Sequence, residues 1–319
     1  MRKVHFFKAK SRIGLANKPI HQEEFNFGVE DGPEGILSPD FLSSLAGSHL
    51  ANVDSFSFTN PEDIKPGQFS EVLAGEIIQF RNLIVDKIAT PRQGGARNDE
   101  KVVQVIIGGD HCVTFPSVLA ALERSGQNLG IIYFDSHGDI NLSKDSPTGN
   151  FHGMHLRPLF DKFDIPEIDN LVPTKIPTKN LLYIGNLDLD PGEIEFLSTN
   201  RIRNITGDDL ENRQDQSLEE IKSFISRLDH LYVSFDIDCM DKTEAPATGI
   251  PAEHGLYLKD ILPVLELIKN HPNFSFDLCE VNPKKEGEEE TVKLAQEILK
   301  LILGFERIQP RGLELGVIF

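Results

Sequence analysis

Cysteine is scarce: Cys112, Cys239 and Cys279 are the only three in 319 residues. They are too few and too scattered for a disulfide framework or a Cys-x-x-Cys zinc site, and they fit a reducing compartment. Each adjoins a candidate site residue, but small buried thiols at strand ends are common, so all three are expected to stay reduced, turn away from the neighbouring ligands and bind no metal. Basic residues are also few, 32 Lys plus Arg against 50 Asp plus Glu, for a formal charge of −18. A chain of that sign repels phosphate backbones and anionic lipid, which excludes nucleic acid and membrane surfaces as partners. No run approaches the roughly eighteen apolar residues of a membrane span. The basic stretch Met1 to Ser11 lacks the apolar core of a secretory signal. A cytoplasmic protein is expected. Low-complexity tracts are absent, and 39% hydrophobic with 26% charged residues describes an ordinary globular chain. One domain over residues 1–319 is expected, since α/β folds commonly use that length as a unit.

What is present is organised around Ile131-Ile132-Tyr133-Phe134-Asp135-Ser136-His137-Gly138-Asp139. Four large apolar residues suit a strand covered on both faces, and ligands gather at the carboxyl ends of such strands in open α/β sheets. Extended backbone puts alternate side chains on one face, so Asp135, His137 and Asp139 are expected to aim at one spot. Two carboxylates and an imidazole suit a hard or borderline divalent ion. Alone, the pattern reads equally as a solvated loop after a core strand.

The rest of the chain alternates. Val4-His5-Phe6-Phe7 reads as a first strand, Asn26 to Gly35 as a loop leading to a helix, and Asn52 to Phe69, rich in Pro, Asp, Asn and Ser, as a surface excursion. Ser70 to Ala89 places Val72, Leu73, Ile77, Phe80 and Ile84 on one helical face. After a polar turn over Gln93 to Glu100, the β-branched run Val102 to Ile107 reads as a strand. It ends in Gly108-Gly109-Asp110-His111, where the glycines allow positive φ and close backbone approach. His111 is thereby a candidate ligand as well as a candidate core histidine. Pro116 to Arg124 is an expected helix, Leu181 to Gly185 a strand, and Asp188, Asp190 and Glu193 acids that a helix N-terminus would favour regardless of function. Leu231-Tyr232-Val233-Ser234-Phe235-Asp236-Ile237-Asp238 repeats the first design. Leu258 to Lys269 reads as a helix, Phe274 to Pro283 as a strand ending at Glu280, and the segment from Glu286 as a final helix with a solvated acidic start.

Strands alternating with helices imply a three-layer αβα fold with a mostly parallel central sheet. His111, Asp135, His137, Asp139, Asp236 and Asp238 would then converge at one edge, which is more than one tetrahedral site needs. Two adjacent ions, roughly 3.5–4 Å apart with bridging carboxylates, are the simplest solution.

The sequence resembles the ureohydrolases, and within them the arginases. The resemblance is carried by Gly108-Gly109-Asp110-His111, Asp135-Ser136-His137-Gly138-Asp139-Ile140-Asn141, Thr148-Gly149-Asn150-Phe151-His152-Gly153, Asp190-Pro191-Gly192-Glu193, Ser234-Phe235-Asp236-Ile237-Asp238 and Glu280-Val281-Asn282-Pro283, in that order from Gly28 onward. It implies an arginase-like fold and two Mn²⁺ per chain. It also implies hydrolysis of the guanidinium group of L-arginine to ornithine and urea by a metal-bridging hydroxide. Asp135 and Asp236 would bridge the ions, His111 and Asp139 complete one site, and His137 and Asp238 the other. Glu280 would hold the small cationic guanidino substrate, and His152 would shuttle a proton to the amine leaving group. Asn141, Thr148 and Asn150 match positions that receive the amino acid's carboxylate, and Asp190 and Glu193 those around its α-amino group. A homo-oligomer, trimer or hexamer, is also implied.

The chain departs from the family pattern at Ser136 (usually Ala), Cys112 (often Ser), Lys242 (Pro), Ile250 (a Thr whose hydroxyl supports the guanidinium-binding acid) and Leu187 (Arg). The last two bear on substrate and turnover, not on metal binding. The alternatives are a ureohydrolase acting on agmatine, guanidinobutyrate or formimidoglutamate, and a catalytically impaired metal-binding relative. A metallophosphatase would need phosphate-gripping cations beside the ligands, and none is adjacent.

Overall fold

The computed structural model describes residues 3–15, 26–45, 50–88, 102–125 and 128–305. The Gln93 to Glu100 turn lies outside them. Eight strands form one sheet: β1 (Lys3–Lys10), β2 (Leu50–Ser57), β3 (Val102–Gly108), β4 (Leu129–Phe134), β5 (Leu181–Ile184), β6 (Arg203–Ile205), β7 (His230–Asp236) and β8 (Phe274–Cys279). Their order is β2-β1-β3-β8-β7-β4-β5-β6, with every pairing parallel.

Two cores explain the apolar runs. Along β4, Ile132 and Phe134 enter one core while Ile131 and Tyr133 enter the other. β4 is thus free of polar residues along its length because both of its faces are covered. The helices Phe69–Ile88 and Thr114–Ser125 cover one face through Leu73, Ile77, Phe80, Phe115 and Val118. Gln214–Ser226, Leu258–Lys269 and Glu288–Leu303 cover the other through Ile221, Val264, Leu265 and Ile298. The three-layer expectation holds.

Two expectations do not. Residues 50–57 are an edge strand on β1, not a surface excursion; the excursion begins after Ser57. Asn52, Ser55 and Ser57 are exposed there, and a solvated edge tolerates polar residues that mask a strand's pattern. Gly108 and Gly109 do not take positive φ. They are needed for space alone: a Cβ on Gly109 would lie 2.0 Å from the Ser11 carbonyl oxygen.

β3, β8, β7 and β4 are consecutive in the sheet's middle. Their carboxyl ends deliver His111, Glu280, Asp236 and Asp135, the arrangement in which α/β proteins place ligands.

Candidate metal centre

Asp135 to Asp139 do not extend the strand. β4 stops at Phe134, His137 forms an isolated parallel bridge with Asp188, and Asp139 takes a left-handed φ of 50°. Convergence comes from this turn and not from the pleat, which corrects the alternation argument. His111 Nδ1 lies 3.0 Å from Asp135 Oδ2, 3.3 Å from Asp139 Oδ2 and 3.1 Å from Asp236 Oδ2. His137 Nδ1 lies 3.4 Å from Asp135 Oδ1 and 3.2 Å from Asp238 Oδ2. Asp135 therefore turns one oxygen toward each histidine and belongs to two separate groups of potential ligands, one with His111 and Asp236 and one with His137 and Asp238.

Burial makes these groups costly without a cation. Asp236 is pushed well above the carboxylate range by desolvation and by repulsion from Asp238 and Asp135. Desolvation and Asp238 push Asp135 up too, but the neighbouring imidazoles of His111 and His137 outweigh them and hold it low. Desolvation likewise opposes ionisation of His111 and His137, yet the surrounding carboxylates raise both well above the usual imidazole value. Asp135 Oδ2 is buried and accepts no hydrogen bond. A buried carboxylate oxygen without a donor, facing imidazole nitrogens, calls for a cation, and the donor set fits a pair of hard divalent ions.

The histidine is also fixed from behind. Ser234 Oγ donates to Asp277 Oδ1 at 2.7 Å and so receives Nε2–H of His111 at 2.8 Å, which turns Nδ1 toward the carboxylates. Asp277 accepts further bonds from Thr114 Oγ1 at 2.9 Å and Tyr232 Oη at 2.6 Å. Ser136 Oγ, at the position usually Ala, donates to Asp238 Oδ1 at 2.9 Å. Sequence reasoning missed Asp277 and Ser234 as supports; an acid and a serine inside fully apolar strands were the available signal. The three cysteines are free and buried. Cys112 Sγ bonds Asp110 Oδ1 at 3.1 Å, whereas Cys279 approaches the His111 and Asp277 pair, so it does not turn wholly away.

Glu280 follows β8 with a left-handed φ of 66°. Its Oε1 accepts the backbone N–H of His111 at 2.8 Å and its Oε2 accepts Asn26 Nδ2 at 2.7 Å. Burial and the nearby Asp110 push it up to about 8. Asn26 carries no motif signal and was missed. Ile250 lies on the rim, 64% exposed, so the support expected from a Thr hydroxyl at that position comes from Asn26 instead.

A cavity of about 360 Å³ opens above the clusters, with Asp236, Asp238 and His137 among its walls. Glu280 and His152 also line it, as do Asn141, Thr148, Asp190 and Glu193. Burial lowers His152 below the usual imidazole value. Asn150 is not a wall residue: it is buried, its Nδ2 has no partner, and its backbone N–H donates to Thr148 Oγ1 at 3.2 Å. Asn141 Nδ2 donates to Asp190 Oδ2 at 2.8 Å. Asp190 and Glu193 form a capping box on the Pro191–Asn200 helix, so the helix-start reading of these acids is correct and they face the cavity as well. Burial pushes Glu193 up to about 7. Leu187 packs, partly buried, against the core.

Comparison with known proteins agrees with this arrangement. The sequence profile of the Arginase family matches residues 12–304. An arginase of Staphylococcus aureus (strain COL) is 34% identical over 302 residues, covering 92% of this chain and 97% of its own. The crystal structure of Entamoeba histolytica arginase in complex with L-ornithine superposes with a TM-score of 0.80 at 24% identity, covering 95% of this chain and 98% of that one. The agmatine ureohydrolase of Thermoplasma volcanium shares the fold at a TM-score of 0.61 and 19% identity, over 94% and 88% of the two chains. With a family profile spanning most of its length and a curated relative 34% identical over 92% of it, the chain belongs to the arginase family of hydrolases.

Proposed function

We propose that this hydrolase acts on L-arginine, releasing ornithine and urea, with two manganese ions per chain. The observation that carries the reading is Asp135, whose two oxygens serve two ligand groups in a cavity that also holds Glu280. Asp135 and Asp236 would bridge the ions, His111 and Asp139 complete one site, and His137 and Asp238 the other. When bound, the ions supply Lewis acidity and a nucleophile available at neutral pH. Glu280 binds the guanidinium, for which parallel charged hydrogen bonds to a carboxylate are the apt geometry. That ion pair draws Glu280 into its ionised form. His152, held in the cavity wall, relays a proton of the attacking water to the departing amine as the carbon–nitrogen bond breaks and the carbon–oxygen bond remains.

Selection for arginine is assigned to the other end of the cavity. Thr148 Oγ1, which already accepts the Asn150 N–H, keeps its proton to donate to a carboxylate. Asn141 holds Asp190 and so acts with Asp190 and Glu193 on the α-ammonium, while Asn150 acts through Thr148. Agmatine lacks the carboxylate and would leave the Thr148 hydroxyl unpaired, a loss that discriminates more strongly than a methylene does. The test is a panel assay of the manganese-loaded protein with arginine, agmatine, guanidinobutyrate and formimidoglutamate, scoring urea or formamide. Arginine is expected to have the highest kcat/KM; a higher value for agmatine or guanidinobutyrate would reassign the substrate within the family.

Manganese is preferred because the two groups offer carboxylate oxygens and imidazole, with no thiolate in either. The reading includes one domain over residues 1–319, supported by strands from Lys3 to Cys279 in one sheet. It also includes a cytoplasmic location and a trimer or hexamer, the latter to be measured by sedimentation. Among the described residues no helix is long and apolar enough to cross a membrane.

A further inference from the structure

Beside the His111 group lie two fully buried side chains that do not line the cavity, Tyr133 and His155. Tyr133 Oη donates to Asp139 Oδ2 at 2.7 Å and stands 2.8 Å from His111 Nδ1. His155 Nε2 lies 3.3 Å from the same phenol oxygen, and its Nδ1 lies 2.6 Å from the carbonyl oxygen of His152. A carbonyl only accepts, so Nδ1 carries the proton and Nε2 of the neutral ring is an acceptor; the single phenol proton is directed at Asp139 Oδ2, with His155 Nε2 as its longer second acceptor. Among the described residues no buried tyrosine and histidine pair backs the His137 group, where the outer contact is Ser136 on Asp238 and His137 itself is 32% exposed.

Asp139 needs such support. It is a non-glycine residue at φ 50°, a left-handed conformation that persists only when its surroundings hold it. Its backbone carbonyl is held by the N–H of Leu156 at 3.0 Å, and the shortest contact to its carboxylate is the Tyr133 hydroxyl at 2.7 Å, with His111 Nδ1 at 3.3 Å beyond it. We propose that Tyr133 and His155 are a positioning pair for the ion on the His111 side. The phenol sets the Asp139 carboxylate, His155 flanks the same hydroxyl as its longer second acceptor and limits its rotation, and the bond from His155 to the His152 carbonyl ties that ion to the segment bearing the proton carrier. The proposal rests on the two-ion reading above. Hydrogen bonds that orient metal ligands from outside typically account for about 10–100-fold in metal affinity.

The two ions are thereby made unequal, and that asymmetry is the test. Tyr133→Phe keeps the ring, which stacks on His111 and meets Tyr183 edge-on, and removes one oxygen. Manganese is titrated into metal-free protein against a competing chelator, with paramagnetic resonance reporting the coupled pair. Wild type is expected to take up two ions. Tyr133→Phe is expected to bind one of them about 10–100-fold more weakly and the other unchanged. If that variant does not accumulate folded, His155→Gln is expected to weaken the same ion in the same direction. Uptake of two ions by wild type with unchanged affinities in both variants overturns the proposal alone, as does an equal loss at both ions, which marks a merely structural role. A wild type that binds fewer than two ions overturns the two-ion reading and the proposal with it.

Discussion

At the scale of single residues, the centre separates side chains that hold charge from side chains that move a proton. Asp135→Asn replaces an oxygen that accepts no hydrogen bond with an amide that cannot supply its charge, so metal content and turnover are both expected to collapse. His152→Asn is expected to keep both metals while turnover falls about 10²–10⁴-fold. Elemental analysis beside steady-state rates distinguishes them, and metal loss in the second variant would make His152 a ligand. Asn26→Ala removes one of the two donors that hold Glu280. A hydrogen bond to a charged group contributes about 1.5–3 kcal/mol, so kcat/KM should fall about tenfold to a hundredfold with metal content unchanged; equal kinetics would show that Glu280 is oriented without it. The acids that converge at the sheet edge were legible because two apolar strands each run into paired acids. Asn26, Tyr133 and His155 were not, since their importance lies in contacts with residues distant in sequence or hidden by a turn.

At the scale of elements, what could be read was whatever burial imposes on both faces of a strand or one face of a helix. β3, β4, β7 and β8 were visible for that reason, and so were the helices Phe69–Ile88 and Leu258–Lys269. β2 was not, because an edge strand need satisfy only its backbone pairing. The turn after β4 was also misread: three ligands at every second position suggest a pleat, yet the chain bends at Asp139. Gly185, just past β5, is the neighbour on which that turn rests, since a Cβ there would lie 1.9 Å from the Asp135 carbonyl oxygen. Gly185→Ala is therefore expected to lower metal content and melting temperature together, although no ligand is altered; overpacking of this kind typically costs about 1–3 kcal/mol. A variant that melts lower but retains full metal would place the strain elsewhere than in Asp135.

At the scale of the whole molecule, protonation and metal occupancy compete. Glu193 and Glu280, pushed up to about 7 and about 8, bind more protons folded than unfolded above their ordinary values, so their contribution to stability falls as pH rises through those values. His111 and His137, raised well above 6.5, act in the same direction, stabilising fully below that pH and losing the effect above it. Asp135 and Asp238 are lowered, and their contribution is lost only in acid below about 4. The chelated protein is thus expected to melt lower at pH 8.5 than at pH 6, while the rise in melting temperature on adding manganese grows over the same range. Thermal scans with chelator and with metal at both pH values check this, and a chelated protein more stable at the higher pH would contradict it. The lacing of β3 to β8 has a consequence of another kind. The N–H of Glu280 bonds the Gly109 carbonyl at 2.8 Å while the N–H of His111 bonds the Glu280 carboxylate, so a proposed metal ligand and the acid proposed to bind the guanidinium ride on one pair of strands in fixed register. The reactive end of the cavity is a ruler that cannot be stretched. Substrates of a different length or head group must be met by redrawing residues 141–150 and 187–193 at the far wall, so new specificities in this scaffold are open to loop change while the hydrolytic chemistry stays in place.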